Sequence, residues 1–395
     1  MVSHRKRGSH VRRLLTRSVA SGHEGAVRSE TLDGMVVPPQ PADVLDRVDK
    51  AMKAIPADEI GDQGEFRRAL QALYSRAEPA LAKLAADPDA ALDMHETFAL
   101  EAVIKTDGTR PSLLVRDNVV PDNHPLAGGW AGQLIGQRET IRAVAKATGR
   151  IEPERPSGRD FFGTGWLVDV EKGFVLTNIH VVEAFMRRAS TLAKADGGTI
   201  RVFDGVYIDF VAETQSEQRN RYKVVEATPS GIEGDGFERL DIARLRIEPM
   251  EGSKKINDPI KVVADLDRAM GNAGNSLCVI GYPGEPEHTI GTFEGVDWGW
   301  VNATLFGNRY GLKRLAPGIV QNPLGFRSDD PNRWIFGHDA TTLGGSSGSP
   351  IIAWVDGGSS FGIHFAGASV ETNFAHAMAK CVDALKRLGV PVVDP

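Results

Sequence analysis

The sequence predicts a mainly β protein with a helical module in front and a helix at the end. Three observations carry this. From residue 160 onward, short apolar runs are broken by Gly, Pro, Asn and Asp, as in Gly165–Val170, Phe174–Thr177, Tyr207–Val211, Ile242–Ile247, Leu277–Gly281 and Pro350–Trp354. Many short strands with turn signals between them argue for a sandwich or a barrel. Before residue 110 the apolar spacing is helical instead, and about Ala375 to Leu388 an amphipathic helix closes the chain, stopped by Gly389 and Pro391.

Taken in order, residues 1–40 read as a disordered basic tail. Arg5, Lys6, Arg7, Arg12, Arg13, Arg17 and Arg28 face one acid, Glu24, in its first 28 residues. Arg12-Arg13 superficially suggests an export signal, but Leu14 to Gly22 is polar and lacks an apolar core. A targeting segment remains the second reading. Residues 41–110 form the helical module. Leu45, Val48, Met52 and Ile55 recur at helical spacing, as do Phe66, Leu70, Leu73 and Tyr74, then Leu81, Leu84, Leu92 and Met94. Asp87-Pro88 breaks the pattern. These residues suit a core, and the module has three open readings: it recruits a protein partner, packs on the β domain, or holds the Leu113–Val115 strand near the cleft as an inhibitor. Residues 111–159 read as a connecting segment, with a short strand at Leu113-Leu114-Val115 and a helix over Gln133 to Thr148. Residues 160–395 form the β domain.

Bulk properties narrow the function class. A net charge of −6 over 395 residues gives no reason to expect nucleic acid or an anionic membrane as partner. No run approaches the ~18 apolar residues that span a bilayer. Only Cys278 and Cys381 are present, which favours a reducing compartment and a cytoplasmic location. No Walker-type loop or dinucleotide glycine signature occurs, so no cofactor is expected. His338-Asp339 is a poor ligand pair with no further ligands at suitable spacing, so no metal is expected and His338 reads as structural.

The chemistry starts at Gly344-Gly345-Ser346-Ser347-Gly348-Ser349-Pro350. A serine between glycines sits on a tight loop whose backbone N–H groups can converge on one point. Such a serine needs a base. His180 stands out, at the end of Val175-Leu176-Thr177-Asn178-Ile179-His180-Val181-Val182, where a strand-like run gives way to loop. The base in turn needs an acid that fixes its tautomer. Asp241 stands at the mouth of the alternating run Ile242-Ala243-Arg244-Leu245-Arg246-Ile247. Taken singly, each has a bland alternative: a flexible loop, a structural histidine, a turn aspartate. Together they occur in the order His, Asp, Ser, the order found in double β-barrel peptidases.

Segment 160–380 resembles the trypsin-like bacterial serine peptidases, in the branch of the V8 and glutamyl endopeptidases. The matching pieces are Gly163-Thr164-Gly165-Trp166, Leu176 to Val182, Leu240-Asp241-Ile242-Ala243, Val279-Ile280-Gly281-Tyr282-Pro283, Gly344 to Pro350, and Gly362-Ile363-His364-Phe365-Ala366-Gly367. The resemblance implies a chymotrypsin-like double β-barrel and a serine endopeptidase acting on protein or peptide substrates. It implies Ser347 as nucleophile, His180 as base, Asp241 as acid, and the N–H groups of Gly345 and Ser347 as oxyanion hole. His364 and Thr342 match pocket residues that meet an acidic P1 side chain in glutamyl endopeptidases. His364 is otherwise a structural residue of the wider branch. One departure matters. Digestive members carry Asp before the nucleophile and pair it with a freed N-terminus, whereas Ser346 stands there and cannot.

The competing expectation is a catalytically silent peptidase fold used as a binding scaffold. A lipase or esterase fits less well. Gly345-Ser346-Ser347-Gly348-Ser349 is not a Gly-x-Ser-x-Gly elbow, and Pro350 stands where a helix should start.

Overall fold

The computed structural model describes residues 82–83, 110–122, 124, 126–156, 160–188, 192–194, 198–256, 258–272, 276–285, 292–293, 296–297, 306–354, 357–368 and 372–395. The expected basic tail over 1–40, and the helical module over 41–110 apart from three residues, lie outside the described residues. The chain divides into two compact units. Residues 112–121, 135–286 and 310–395 form the larger one, and it holds the β structure that matters for the site.

Its first strand, β1 (Leu113–Leu114), is the one expected from the sequence, and it pairs with the C-terminal sheet. The N-terminal sheet comprises β2 (Thr148–Pro153), β3 (Gly163–Asp169), β4 (Phe174–Thr177), β5 (Leu192–Lys194), β6 (Ile200–Val202), β7 (Val206–Asp209), β8 (Arg221–Pro229) and β9 (Ala243–Pro249). Its strands run in the order β8-β7-β2-β3-β4-β9, and β9 pairs back onto β8, closing a six-stranded antiparallel barrel. Along β9 the buried Ala243, Leu245 and Ile247 alternate with the half-buried Arg244 and Arg246. That period of two is what a barrel wall with one wet face requires.

The C-terminal sheet comprises β10 (Val262–Val263) and β11 (Ser276–Gly281). After β12 (Thr292–Phe293) and β13 (Val296–Asp297), a hairpin of the other unit, it continues with β14 (Arg314–Asn322), β15 (Ile335–His338), β16 (Pro350–Ala353), β17 (Ser360–Ala368), β18 (Thr372–Ala377) and β19 (Val392–Val393). The order β16-β11-β14-β15-β18-β17 closes by pairing β17 with β16. Leu277, Val279, Phe336, Ile351 and Phe361 fill this second barrel, with Phe336 and Phe361 stacked at 5.4 Å. The fold is mainly β and a double barrel, as the sequence predicts.

Three expectations need correction. The connecting segment 111–159 is more than a connection, because β2 is a wall of the first barrel and β1 an added edge of the second. The helix expected over 133–148 is two helices, α1 (Ala131–Gly136) and α2 (Arg138–Ala147), and Thr148 already opens β2. The closing helix is shorter than expected. Residues 374–377 belong to β18, which is paired on both sides by β15 and β17. Two ladders of hydrogen bonds outweigh the helical spacing of the side chains. The helix proper, Val382–Arg387, follows a 3₁₀ turn at Met378–Lys380.

Lys313, just ahead of β14, fastens the second barrel to the first. It is fully buried, and its ammonium donates to Ala145 O at 2.7 Å, Phe210 O at 2.8 Å and Glu213 Oε1 at 3.1 Å. All three donors are used. Burial pulls its pKa down, and the Glu213 charge opposes this. Lys313→Met therefore strands two carbonyls and a buried carboxylate. It is expected to cost about 3–5 kcal/mol, read as a lower midpoint in urea denaturation; an unchanged midpoint would refute the role.

Candidate active site

His180 and Asp241 are held by each other. His180 lies in the first turn of a helix, α3 (Ile179–Arg188), where the sequence suggested a strand-like run giving way to loop. The reason for the change is local. Asp241 Oδ1 accepts the backbone N–H of His180 at 3.0 Å, so a carboxylate sits at the start of the helix. The other oxygen, Oδ2, is 2.5 Å from His180 Nδ1. Burial acts to raise the Asp241 carboxyl. The hydrogen bond and charge of His180 outweigh it and hold the group below its ordinary range. The imidazole is far more open than the acid, with 40% of its side chain exposed against 12%. Its Nε2 edge is thus available to a reacting group.

Asp241 itself stands between the 3₁₀ turn Gly236–Glu238 and β9. Its carbonyl accepts from Asn178 Nδ2 at 2.7 Å, and its N–H donates to His376 Nε2 at 3.2 Å. Arg239 pairs with Glu183 on α3 and so ties the Asp241 loop to the His180 helix at the rim.

Ser347 sits on the turn before β16. Gly345 and Gly348 on either side have φ of +87° and +89°, a region open to glycine and closed to most other residues. A Cβ on Gly345 would lie 2.7 Å from Phe161 Cζ, and one on Gly348 would lie 2.1 Å from Thr164 O. The loop is therefore pinned between neighbours. Ser346 N donates to Leu343 O and Ser349 N to Ser346 O, while Gly348 N donates to His364 O. Among the described residues the N–H groups of Gly345 and Ser347 make no hydrogen bond. Ser347 Oγ donates to Phe365 O at 3.5 Å. It makes no hydrogen bond to His180 among the described residues, a looseness common before substrate binds. The two sides still converge, because a Cβ on Gly163 would lie 2.7 Å from Val181 Cγ2 and 3.1 Å from Ser347 O.

Of the expected pocket residues, Thr342 is half-buried and His364 is 3% exposed. His364 Nδ1 lies 3.2 Å from His338 Nε2. Burial, then His338 and His180, drive the His364 pKa well below its ordinary value. Sequence reasoning missed Thr164, Asn178, Arg239 with Glu183, and His376. Thr164 and Asn178 lie inside motifs that the sequence analysis quotes, but nothing in the pattern marks their hydrogen bonds.

A family model described as a trypsin-like peptidase domain matches residues 163–363, just over half of the chain. The chain belongs to the trypsin-like peptidases. A probable serine protease of Lysobacter enzymogenes is 38% identical over 385 residues, covering 95% of this chain and 98% of that one. Among solved structures, the Rv3671c protease of M. tuberculosis in an inactive form is similar at 16% identity, over 64% of this chain and 93% of the other, with a TM-score of 0.34. The serine endoprotease from Yersinia pestis is similar at 17% identity, over 64% of this chain and 65% of the other, with a TM-score of 0.36.

The buried histidines of this trypsin-like peptidase make its stability depend on pH. Burial lowers His338 to about 3 and His376 to about 4, and lowers His364 strongly as well. In the unfolded chain they titrate near 6.5. Between these values the unfolded state binds more protons, so stability falls as pH falls from about 6.5 toward 4, by up to roughly 1.4 kcal/mol per pH unit for each histidine. Asp241, held low in the folded state, adds its loss at the acid end of this range. Urea midpoints measured from pH 7 to pH 4.5 should drop steadily; a flat or rising series contradicts the assignment.

Proposed function

We propose that this trypsin-like peptidase is an active serine endopeptidase that hydrolyses peptide bonds through an acyl-enzyme on Ser347. The doubly bonded pair of His180 and Asp241 carries the reading. One carboxylate takes both the backbone N–H and the Nδ1 side of the same histidine. That fixes the proton on Nδ1 and presents Nε2 as base.

The steps follow from the groups present. Ser347 Oγ bonds to the scissile carbonyl carbon as its proton passes to His180 Nε2. The carbonyl oxygen becomes an oxyanion, met by the N–H groups of Gly345 and Ser347. Collapse breaks the C–N bond, and His180 gives its proton to the leaving amine. Water then repeats the sequence on the acyl carbon, releasing the acid and restoring Ser347.

Within the same reading Thr342 and His364 line the P1 pocket, as in the V8 and glutamyl endopeptidase branch, and favour an acidic P1 side chain. The depressed pKa of His364 means that it meets substrate as a neutral imidazole. A substrate carboxylate supplies the negative charge that lets it take a proton. Cys278 and Cys381 are both buried and unpaired, which supports a reducing, cytoplasmic setting.

A fluorophosphonate probe should label the wild type and leave Ser347→Ala unlabelled. Absence of labelling in folded wild-type protein would favour the silent scaffold. A peptide library should be cut after Glu or Asp; strong cleavage after Lys or Leu removes the acidic preference while leaving the triad intact.

Control by a freed N-terminus is not part of this proposal. Ser346 is buried within the loop and offers no charge for such an end to pair with. The module over 41–110 instead recruits a protein partner. Full-length protein should cleave peptides uncut, and a chain beginning at residue 110 should match it. The start must precede β1, since Leu113, Leu114 and Val115 are fully buried. Activation by a single proteolytic cut would refute the first expectation, and higher activity on truncation would make the module an inhibitor.

A further inference from the structure

We propose that His376 is a positioning residue, a neutral imidazole that holds the backbone of Asp241 and joins the acid's arm of the site to the nucleophile's arm. The inference rests on the reading of His180, Asp241 and Ser347 as a triad.

Asp241 lies outside any strand, so no ladder satisfies its peptide groups. Two side chains do so instead: Asn178 on the carbonyl and His376 on the N–H, at 2.7 and 3.2 Å. His376 is well placed to act as a fixed post. It sits on β18, opposite Ile335 of β15 and Ile363 of β17, and is fully buried. Its ring lies flat on Phe365, with 4.1 Å between centroids and 10° between planes. Trp334 meets it edge-on at 6.0 Å. Phe365 is the residue whose carbonyl accepts from Ser347 Oγ. One ring therefore touches the acid by hydrogen bond and the nucleophile's partner by stacking.

The contact also sets the tautomer. The N–H of Asp241 needs an acceptor, so Nε2 carries no proton and Nδ1 carries the one that remains. A proton on Nε2 would set two donors against each other. The neighbours favour the neutral form. Asp241 is the charged group acting on the ring, while β15, β17 and the flanking aromatics present Ile335, Ile363, Trp334 and Phe365. Burial outweighs the pull of Asp241 and lowers the ring to about 4.

Removing the acceptor frees the Asp241 N–H in a buried place and lets the carboxylate leave its seat on His180. The imidazolium formed during reaction then loses its partner. His180 becomes the weaker base, so the acid limb of kcat/KM moves to lower pH as kcat falls. A merely structural weakening lowers the amount of folded enzyme and leaves that limb where it was.

The test compares His376→Phe, which keeps a flat ring without an acceptor, with His376→Gln, which keeps an acceptor. His376→Phe should lose roughly 10- to 100-fold in kcat with KM near wild type and its acid limb displaced downward. His376→Gln should keep the limb and most of kcat. Wild-type kcat and pH profile in His376→Phe would overturn the proposal, as would equal loss in both variants with an unmoved limb. If His376→Phe does not fold, the ¹⁵N shifts of His376 in the intact enzyme decide. A bare Nε2 and protonated Nδ1 at neutral pH are expected, and a protonated Nε2 overturns it. A Ser347→Ala protein that still cleaves would instead sink the triad reading itself.

Discussion

Thr164 is the constraint on which the site depends. Its N–H donates to Ser347 O at 2.9 Å, and its carbonyl accepts from Thr177 Oγ1 at 2.7 Å. Its hydroxyl donates to Gly345 O at 2.9 Å and accepts from Tyr282 N at 3.2 Å. One fully buried residue of β3 thus grips the Ser347 loop twice, the end of β4 once and the end of β11 once. The neighbouring glycines follow from this closeness. Gly348 has no room for a Cβ because Thr164 O is in the way, and Gly281 has none because of Ser349 Oγ. Each of these groups would be an unmet polar atom in a dry seam if its partner left. The first barrel therefore does more than carry the base. It shapes the loop of the second.

A second theme is the cost of the polar interior. His338, His364 and His376 are all buried, and all are held neutral by burial. Neutral imidazoles can accept as well as donate, which a lysine or arginine cannot do. That property suits a site whose backbone donors need fixed acceptors. Lys313 marks the contrast. Its charge is tolerated because two carbonyls and Glu213 surround it. Behind Asp241, by comparison, the buried His376 and the rings packed on it stay uncharged near neutral pH.

The fold class and the chemistry-bearing segments were legible because they are local. Short apolar runs with turn residues between them mark strands, and a glycine-flanked serine marks a tight loop. Boundaries were less legible wherever distant partners decide them. Residues 374–377 have helical spacing, yet β15 and β17 claim their backbone from both sides. His180 reads as the place where a strand-like run gives way to loop, yet a carboxylate 61 residues away takes its N–H at the start of a helix. Thr148–Pro153 looked like a connection because its ladder partners lie in β3 and β7. His376 was illegible for the same reason: its hydrogen bond spans 135 residues.

The loop around Ser347 shows what this long-range ordering achieves. In a family where an acid beside the nucleophile can organise that loop by pairing with a chain end, Ser346 offers no charge. The shape is carried by neutral contacts. Thr164 takes Gly345 O and Ser347 O, Gly284 N donates to Gly344 O, and His364 O receives Gly348 N. Phe161 packs where a Cβ on Gly345 would be. Every one of these partners comes from a strand or loop already set by barrel closure. The contacts that hold the loop thus come from elements that the folding of the two barrels brings together. The same closure stacks His376 on Phe365, so the ring that bonds to Asp241 N–H packs on the residue whose carbonyl accepts from Ser347 Oγ.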